Sequence, residues 1–337
     1  MNEIIRIGLD TSKSVFQVHG VDAAERPVLR KTLRRADMER FFASLPPTLI
    51  GLEACGASHH WARVLQRLGH QVRLLPPQYV KPYLKRGQND AADAEAICEA
   101  MSRPSMRFVP VRTAENQAEL MLLGTRELLL KQRTMLTNAI RGHAAEFGVT
   151  GAKGIGRVQE LLDRIGDDRA MPELARTMFV HLAEQMEALE TQISAADKQL
   201  RAWHRLSEPS RRLAAVPSIG PIIASALVMK VPDPSVFKSG RHFAASIGIT
   251  PKDHSTAGRQ RLGGITRAGD ETLRRLLVSG AMAVIQRAKP GRTSPWLLQL
   301  LARKPKKLAA VALANKTARI AWAMMMRGEA YRRPSMT

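Results

Sequence analysis

Two periodicities divide this chain. Over the first hundred residues the apolar positions come in short, β-branched runs. Residues 4–10 (IIRIGLD) and 15–21 (VFQVHGV) read as strands separated by the turn-like Thr11-Ser12-Lys13, and a third strand is expected at 27–33. A helix over 37–44, a strand over 49–53, a helix over 58–68 and a strand over 72–75 complete the first segment. Beyond it the pattern is helical. From Leu182 the apolar positions Leu182, Met186, Leu189, Ile193, Ala196, Leu200 and Trp203 step by four and three, which holds them on one helix seam. A helix over 114–147 is the expected antiparallel partner. The pattern leaves open whether this pair is a coiled-coil spacer or an ordinary buried helix packing. Further helices are expected at 211–215, 221–230, 240–247, 270–287 and 308–327. Between the third and fourth of these lies TPKDHSTAGRQRLGGITRAGD, a basic, glycine-rich stretch without periodicity, which reads as a functional loop.

The 337 residues, 45% of them hydrophobic, suffice for two or three packed domains. The expected fold class is α/β plus all-α. Its parts are an α/β domain over 1–110, a helical segment over 111–206 and a mostly helical domain over 207–337. Charge sharpens this division. The net charge is +22, with 16 Lys and Arg against 11 Asp and Glu in the first part, 13 against 13 in the second and 23 against 6 in the third. So large a cationic excess repels itself without counter-anions, which points to nucleic acid and to salt-dependent binding. Aromatic residues make up only 4%, so stacking on bases is not the expected mode. Cys55 and Cys98 have no CxxC partner and are expected to be reduced and structural. No apolar run approaches membrane-spanning length and no secretory leader opens the chain, so the expected location is the cytoplasm, at the nucleoid.

The chemistry of the first segment lies in its carboxylates. Asp10 and Glu53 each end an apolar strand, and Asp90 and Asp93 sit three apart in QNDAADAEAI, where a helix puts both on one face. The order of three strands, helix, strand, helix, strand is that of a ribonuclease H-like sheet, whose strand ends can bring such acids together. Four clustered carboxylates need cations, and oxygen-only donors suit Mg2+, with Mn2+ as the alternative. Two such ions support phosphodiester cleavage. Each acid alone has an ordinary reading as a turn or cap residue. Asp22, Asp37 and Glu95 fit the arrangement less well and are expected at the surface.

In the basic stretch, Ser255 is surrounded in sequence by Lys252, His254, Arg259, Arg261 and Arg267. These residues by themselves leave open a phosphate-binding loop or a catalytic serine whose developing charge the cations offset. Residues 216–224 (VPSIGPIIA) are similar to a helix-hairpin-helix, with Ser218 at a usual glycine position and Gly220 before the second helix. Such a turn holds phosphate without reading sequence, although a plain Pro/Gly connection fits equally.

Taken together, IGLDTSK, GLEACG, QNDAADAEAI, LAAVPSIGPIIASALV and FAASIGITPKDHSTAGRQRLGGITRAGD resemble the DEDD-type insertion-sequence transposases of the one-ten family, over nearly the whole chain. The resemblance implies a RuvC-like domain with Asp10, Glu53, Asp90 and Asp93 as its acids. It also implies a coiled-coil segment and a C-terminal domain with Ser255 as nucleophile. Where that family usually has Ser, Ser or Thr, Gly, Gly, Lys, this chain has Ser255, Thr256, Ala257, Gly258 and Arg259. The family's partners would be DNA and a structured bridge RNA as guide, the enzyme acting as a dimer or tetramer. The competing readings are a metal-dependent nuclease or junction resolvase, in which water attacks, and a non-catalytic nucleic-acid scaffold.

Overall fold

Alternation along the first strands decides how the N-terminal sheet is covered. The structure, a computed structural model, describes residues 3–84, 90–291 and 293–332, and of Asp90 only the main chain. The chain divides into two compact units, Met1–Ala118 and Glu119–Thr337.

The first unit runs β1 (Arg6–Thr11), β2 (Val15–Val21), β3 (Pro27–Arg34), α1 (Met38–Ala43), β4 (Leu49–Glu53), α2 (Ser58–Arg67), β5 (Gln71–Leu75), α3 (Pro77–Val80) and α4 (Asp90–Ala100). The sheet order is β3-β2-β1-β4-β5. Tight connections make β1, β2 and β3 an antiparallel meander, whereas β4 and β5 each return through a helix and lie parallel. Ile7, Leu9, Ile50 and Leu52 are fully buried in a core with Phe42 of α1 and Trp61 and Leu65 of α2. The intervening Gly8 and Gly51 face the other way, against α4. Arg6, on the Gly8 side, donates from Nε to the Cys98 carbonyl at 3.0 Å and pairs with Glu25, tying α4 to β1.

Asp22 departs from the surface placement expected of it. It is 4% exposed and accepts the Ala24 and Arg26 N–H groups and the Arg26 guanidinium, closing the β2–β3 turn. A short carboxylate beside a turn finds main-chain donors before it finds water. Glu95 is half-buried and pairs with Arg30.

From α5 (Ala114–Glu146) onward the chain is almost wholly helical, through α6 (Val158–Asp167), α7 (Glu173–Leu206), α8 (Glu208–Leu213), α9 (Pro221–Lys230), α10 (Gly240–Ser246), α11 (Glu271–Gln286), α12 (Pro295–Arg303) and α13 (Lys306–Arg327). α5 and α7 are antiparallel. As positions on α5 climb through 119, 126 and 133, their partners on α7 fall through Trp203, Asp197 and Glu190. The seam residues Met186, Leu189 and Ile193 are buried with Leu129, Leu136 and Ile140 of α5 and with α6. A second core joins α8 to α13 around Leu227, Phe243, Leu277 and Ala314. Among the described residues no helix is long and apolar enough to cross a membrane.

Residues 251–265, expected as an irregular loop, form an antiparallel ribbon of β6 (Pro251–Asp253) and β7 (Leu262–Ile265). Both strands are exposed and lack an apolar face, so no alternation marks them.

Candidate active site

Asp10 and Glu53 arrive at the same edge by backbone register. β1 and β4 pair in parallel with Leu9 opposite Leu52, so the acids that follow stand side by side where the strands end. By the two-residue period both lie on the face of Gly8 and Gly51, the face α4 covers. Gly8 makes that close cover possible. A Cβ there would come within 2.1 Å of the Ala94 carbonyl oxygen and 2.6 Å of the Cys98 nitrogen. α4 thus crosses β1 one residue past Asp93, which delivers Asp93 to the strand ends. Burial pushes the Glu53 carboxyl up, and the charge of Asp93 pushes it further. Two carboxylates that sense each other in a half-buried setting are chemically suited to a cation. Among the described residues no group of three or more His, Cys, Asp and Glu side chains is placed to hold a metal ion. Asp90 begins α4, one turn before Asp93, and its side chain lies outside the described residues.

Ser255 sits where the ribbon narrows to its tip. His254 N–H donates to the Arg261 carbonyl at 2.8 Å, and Thr256 and Arg259 exchange main-chain hydrogen bonds across a two-residue turn. Ala257 and Gly258, the central pair, have φ of 48° and 77°. This is the backbone of a type I′ hairpin turn, in which an alanine is strained and a glycine is not. The turn fixes the Ser255 surroundings. Its main-chain N–H donates to Asp253 Oδ1 at 2.9 Å, and its Oγ accepts the Arg261 N–H at 3.0 Å. The nearby Ser255 side chain, together with the Ser255 N–H, holds the Asp253 carboxylate below the usual carboxylate range. Lys252, Arg259, Arg261 and Arg267 are exposed along this ribbon and its exit. The Lys252 Cβ and the His254 ring both lie over Gly263. Arg267, at φ 58°, is held by its N–H on the Gly248 carbonyl.

The 216–224 turn behaves differently from a purely surface loop. Ser218, at φ 80°, turns its hydroxyl inward to Thr317 Oγ1 at 3.0 Å, while Gly220 caps α9 and is exposed.

Sequence reasoning did not single out Gly8, Gly51 or Asp253. A signal for the glycines was present, since Gly-Leu-acid occurs at both 8–10 and 51–53. Asp253 stands two residues before Ser255, the spacing at which an Asp side chain captures a following N–H.

Residues 210–296 match the Transposase IS116/IS110/IS902 family, and residues 7–148 match the IS110-type DEDD family, described as Transposase. The chain is 60% identical over 335 residues to the putative transposase y4pF/y4sB of Sinorhizobium fredii, covering 98% of this chain and 87% of that one. It is 37% identical over 333 residues to the transposase for insertion sequence element IS1328 of Yersinia enterocolitica, covering 98% and 99%. A third relative, the transposase for IS1111A of Coxiella burnetii, is 36% identical over 340 residues, covering 98% and 92%. The chain belongs to the IS116/IS110/IS902 family of insertion-sequence transposases, enzymes that cleave DNA and transfer its strands.

Proposed function

We propose that this transposase cuts DNA with Ser255 as nucleophile and that residues 1–110 are a RuvC-like, ribonuclease H-like domain whose acids Asp10, Glu53, Asp90 and Asp93 hold Mg2+. Residues 111–206 serve as a coiled-coil spacer and 207–337 as the serine-bearing, DNA-binding domain. The sheet order β3-β2-β1-β4-β5, with the two acids at adjacent parallel strand ends, supports the first part. The all-oxygen donors fit a hard divalent ion, which when bound supplies Lewis-acid activation of a phosphate oxygen.

The observation that carries the serine reading is the polar clamp on Ser255, whose N–H donates to the Asp253 carboxylate and whose oxygen accepts the Arg261 N–H. Ser255 Oγ attacks the phosphorus, the hydroxyl proton leaves toward Asp253 or solvent, and the P–O bond to one deoxyribose breaks to free a hydroxyl. The Arg261 N–H stabilises the charge developing on Oγ before attack, and Lys252, Arg259 and Arg261 are suited to neutralise the phosphate. The phosphoserine ester conserves the bond energy for rejoining when a second hydroxyl attacks it. A structured bridge RNA selects the sites, in keeping with a basic, aromatic-poor chain, and the working assembly is a dimer or tetramer.

A second reading, water attack at the metal with Ser255 only binding phosphate, has one observation on its side. The depressed acidity range of Asp253 makes it a weak proton acceptor. Purified protein with its co-purifying RNA, DNA carrying the element ends and Mg2+ separates the two. On a denaturing gel the serine reading gives a protein–DNA adduct that Ser255→Ala abolishes. Cleaved DNA without an adduct establishes the water mechanism instead.

A further inference from the structure

A groove away from the serine ribbon combines cations and indoles in a way the active-site reading does not use. It lies between the first turn of α10, the start of α12 and one face of α13, with about 1220 Å³ of open space. Arg241, Asn315, Lys316, Arg319, Trp296 and Trp322 line it, and among the described residues no acidic side chain does. Lys316 and Arg319 are three apart on α13, hence on one face and about 4.5 Å apart along the axis. Arg241 joins them because position 240 is glycine. A Cβ there would stand 3.2 Å from the Cα and the carbonyl oxygen of Arg319, so its absence lets α10 seat directly on α13. All three cations are exposed, and none of the ion pairs among the described residues engages them.

The indoles are placed to shape the groove rather than to stack on bases. Lys316 Nζ lies over the Trp296 ring at 4.4 Å, and the Trp322 N–H donates to the Pro234 carbonyl at 3.0 Å. A wall of cations backed by one ring that Lys316 already covers and one anchored through its N–H suits phosphates more than unstacked bases. The polyanion this enzyme acts on is DNA.

The geometry points to the Arg241–Lys316–Arg319 groove as a binding site for the phosphate backbone of duplex DNA, separate from the Ser255 ribbon. It holds the duplex in place without reading its sequence. The assignment rests on the family's action on DNA and stands whether serine or water attacks.

The test uses the full chain and a fluorescent 30-bp duplex of arbitrary sequence, with affinity measured across salt. The triple variant Arg241→Gln, Lys316→Gln, Arg319→Gln should lower the slope of log affinity against log salt by about 2.7, about 0.9 per lost phosphate contact. Near 0.1 M salt this amounts to a loss on the order of 10²-fold or more. Each single variant should carry about a third of the slope change, which keeps the test valid if the triple variant folds poorly. A control triple variant in the exposed residues Lys153, Arg169 and Lys198, each to Gln, should leave the slope within about 0.5 of wild type. An unchanged slope in the groove variant overturns the proposal. So does an equal loss in the control, which would mean that net charge alone governs binding, and so does a loss confined to a hairpin RNA of the same length.

Discussion

Replacing Gly8 by Ala is the sharpest perturbation of the carboxylate site that leaves every acid in place. The added Cβ would stand 2.1 Å from the Ala94 carbonyl oxygen, where ordinary contact begins near 3.4 Å. α4 or β1 must therefore give way by more than 1 Å, and main chain opposes main chain, so no rotamer change relieves it. Overpacking of this kind costs about 2–3 kcal/mol, roughly 10 °C in the melting of the first unit. A displacement of that size at Asp93 also costs about 10²-fold in cleavage rate. Gly51→Ala grades the argument, because its nearest neighbour is the Met101 Sδ at 2.5 Å, the end of a flexible side chain, and the expected cost is below about 1.5 kcal/mol. Gly56→Ala, with nothing within 4 Å, should be close to neutral. The assay pairs thermal melting with single-turnover cleavage of DNA carrying the element ends. Wild-type melting and cleavage in Gly8→Ala would refute the claim that close α4 packing sets the acids.

Three further outcomes follow from other parts of the chain. Asp253→Asn should slow adduct formation by about 10–100-fold while leaving DNA affinity within twofold, measured by quench-flow and fluorescence anisotropy; equal losses in both would mean a loop disorder effect. Ala257→Gly should relieve the left-handed strain at φ 48° and raise stability by up to about 1 kcal/mol, readable by chemical denaturation, and a destabilisation would contradict the type I′ assignment. His59, whose Nδ1 accepts the Arg112 N–H at 3.1 Å, has its pKa lowered first by burial and then by Arg112 and Arg63. Because the folded state holds it neutral, its contribution is complete above the unfolded value of about 6.5 and is lost as pH falls from there through the folded pKa. Melting of wild type should therefore decline between pH 7 and pH 5 more steeply than melting of His59→Gln, and parallel curves would exclude that linkage.

The parts of the fold that were legible in sequence are those with an apolar period. β2 and β4 span residues 15–21 and 49–53 as the β-branched runs indicate, and α9 spans 221–230. The helix pair of α5 and α7 follows from the four-three stepping of its seam. What lacked a period was not legible. The ribbon of β6 and β7 has no buried face, and its turn is signalled only by Ala257-Gly258, a weaker hairpin mark than Asn-Gly. α6 carries a stripe at Val158, Leu161, Leu162 and Ile165, but Gly151, Gly154 and Gly156 just before it read as loop. α12 hides behind Pro295, which at a first helical turn starts a helix rather than ending one.

The site divides the same way. Asp10, Glu53, Asp93 and Ser255 stand out by residue type and position, whereas the features that place them depend on three-dimensional approach. The need for glycine at position 8 comes from Ala94 and Cys98, far along the chain. The inward turn of Ser218 comes from Thr317, ninety-nine residues away. Neither partner is visible in the local sequence.

The central claim, attack by Ser255, is tested most directly by mapping the covalent link. Trypsin cuts after Lys252 and Arg259, so the reaction mixture, digested with nuclease and trypsin, should yield the 253–259 peptide carrying a deoxynucleotide phosphate. Fragmentation should place that phosphate on Ser255 and not on Thr256, and the species should be absent from Ser255→Ala. Efficient DNA cleavage with no modified peptide, or with the phosphate on another residue, would contradict the account.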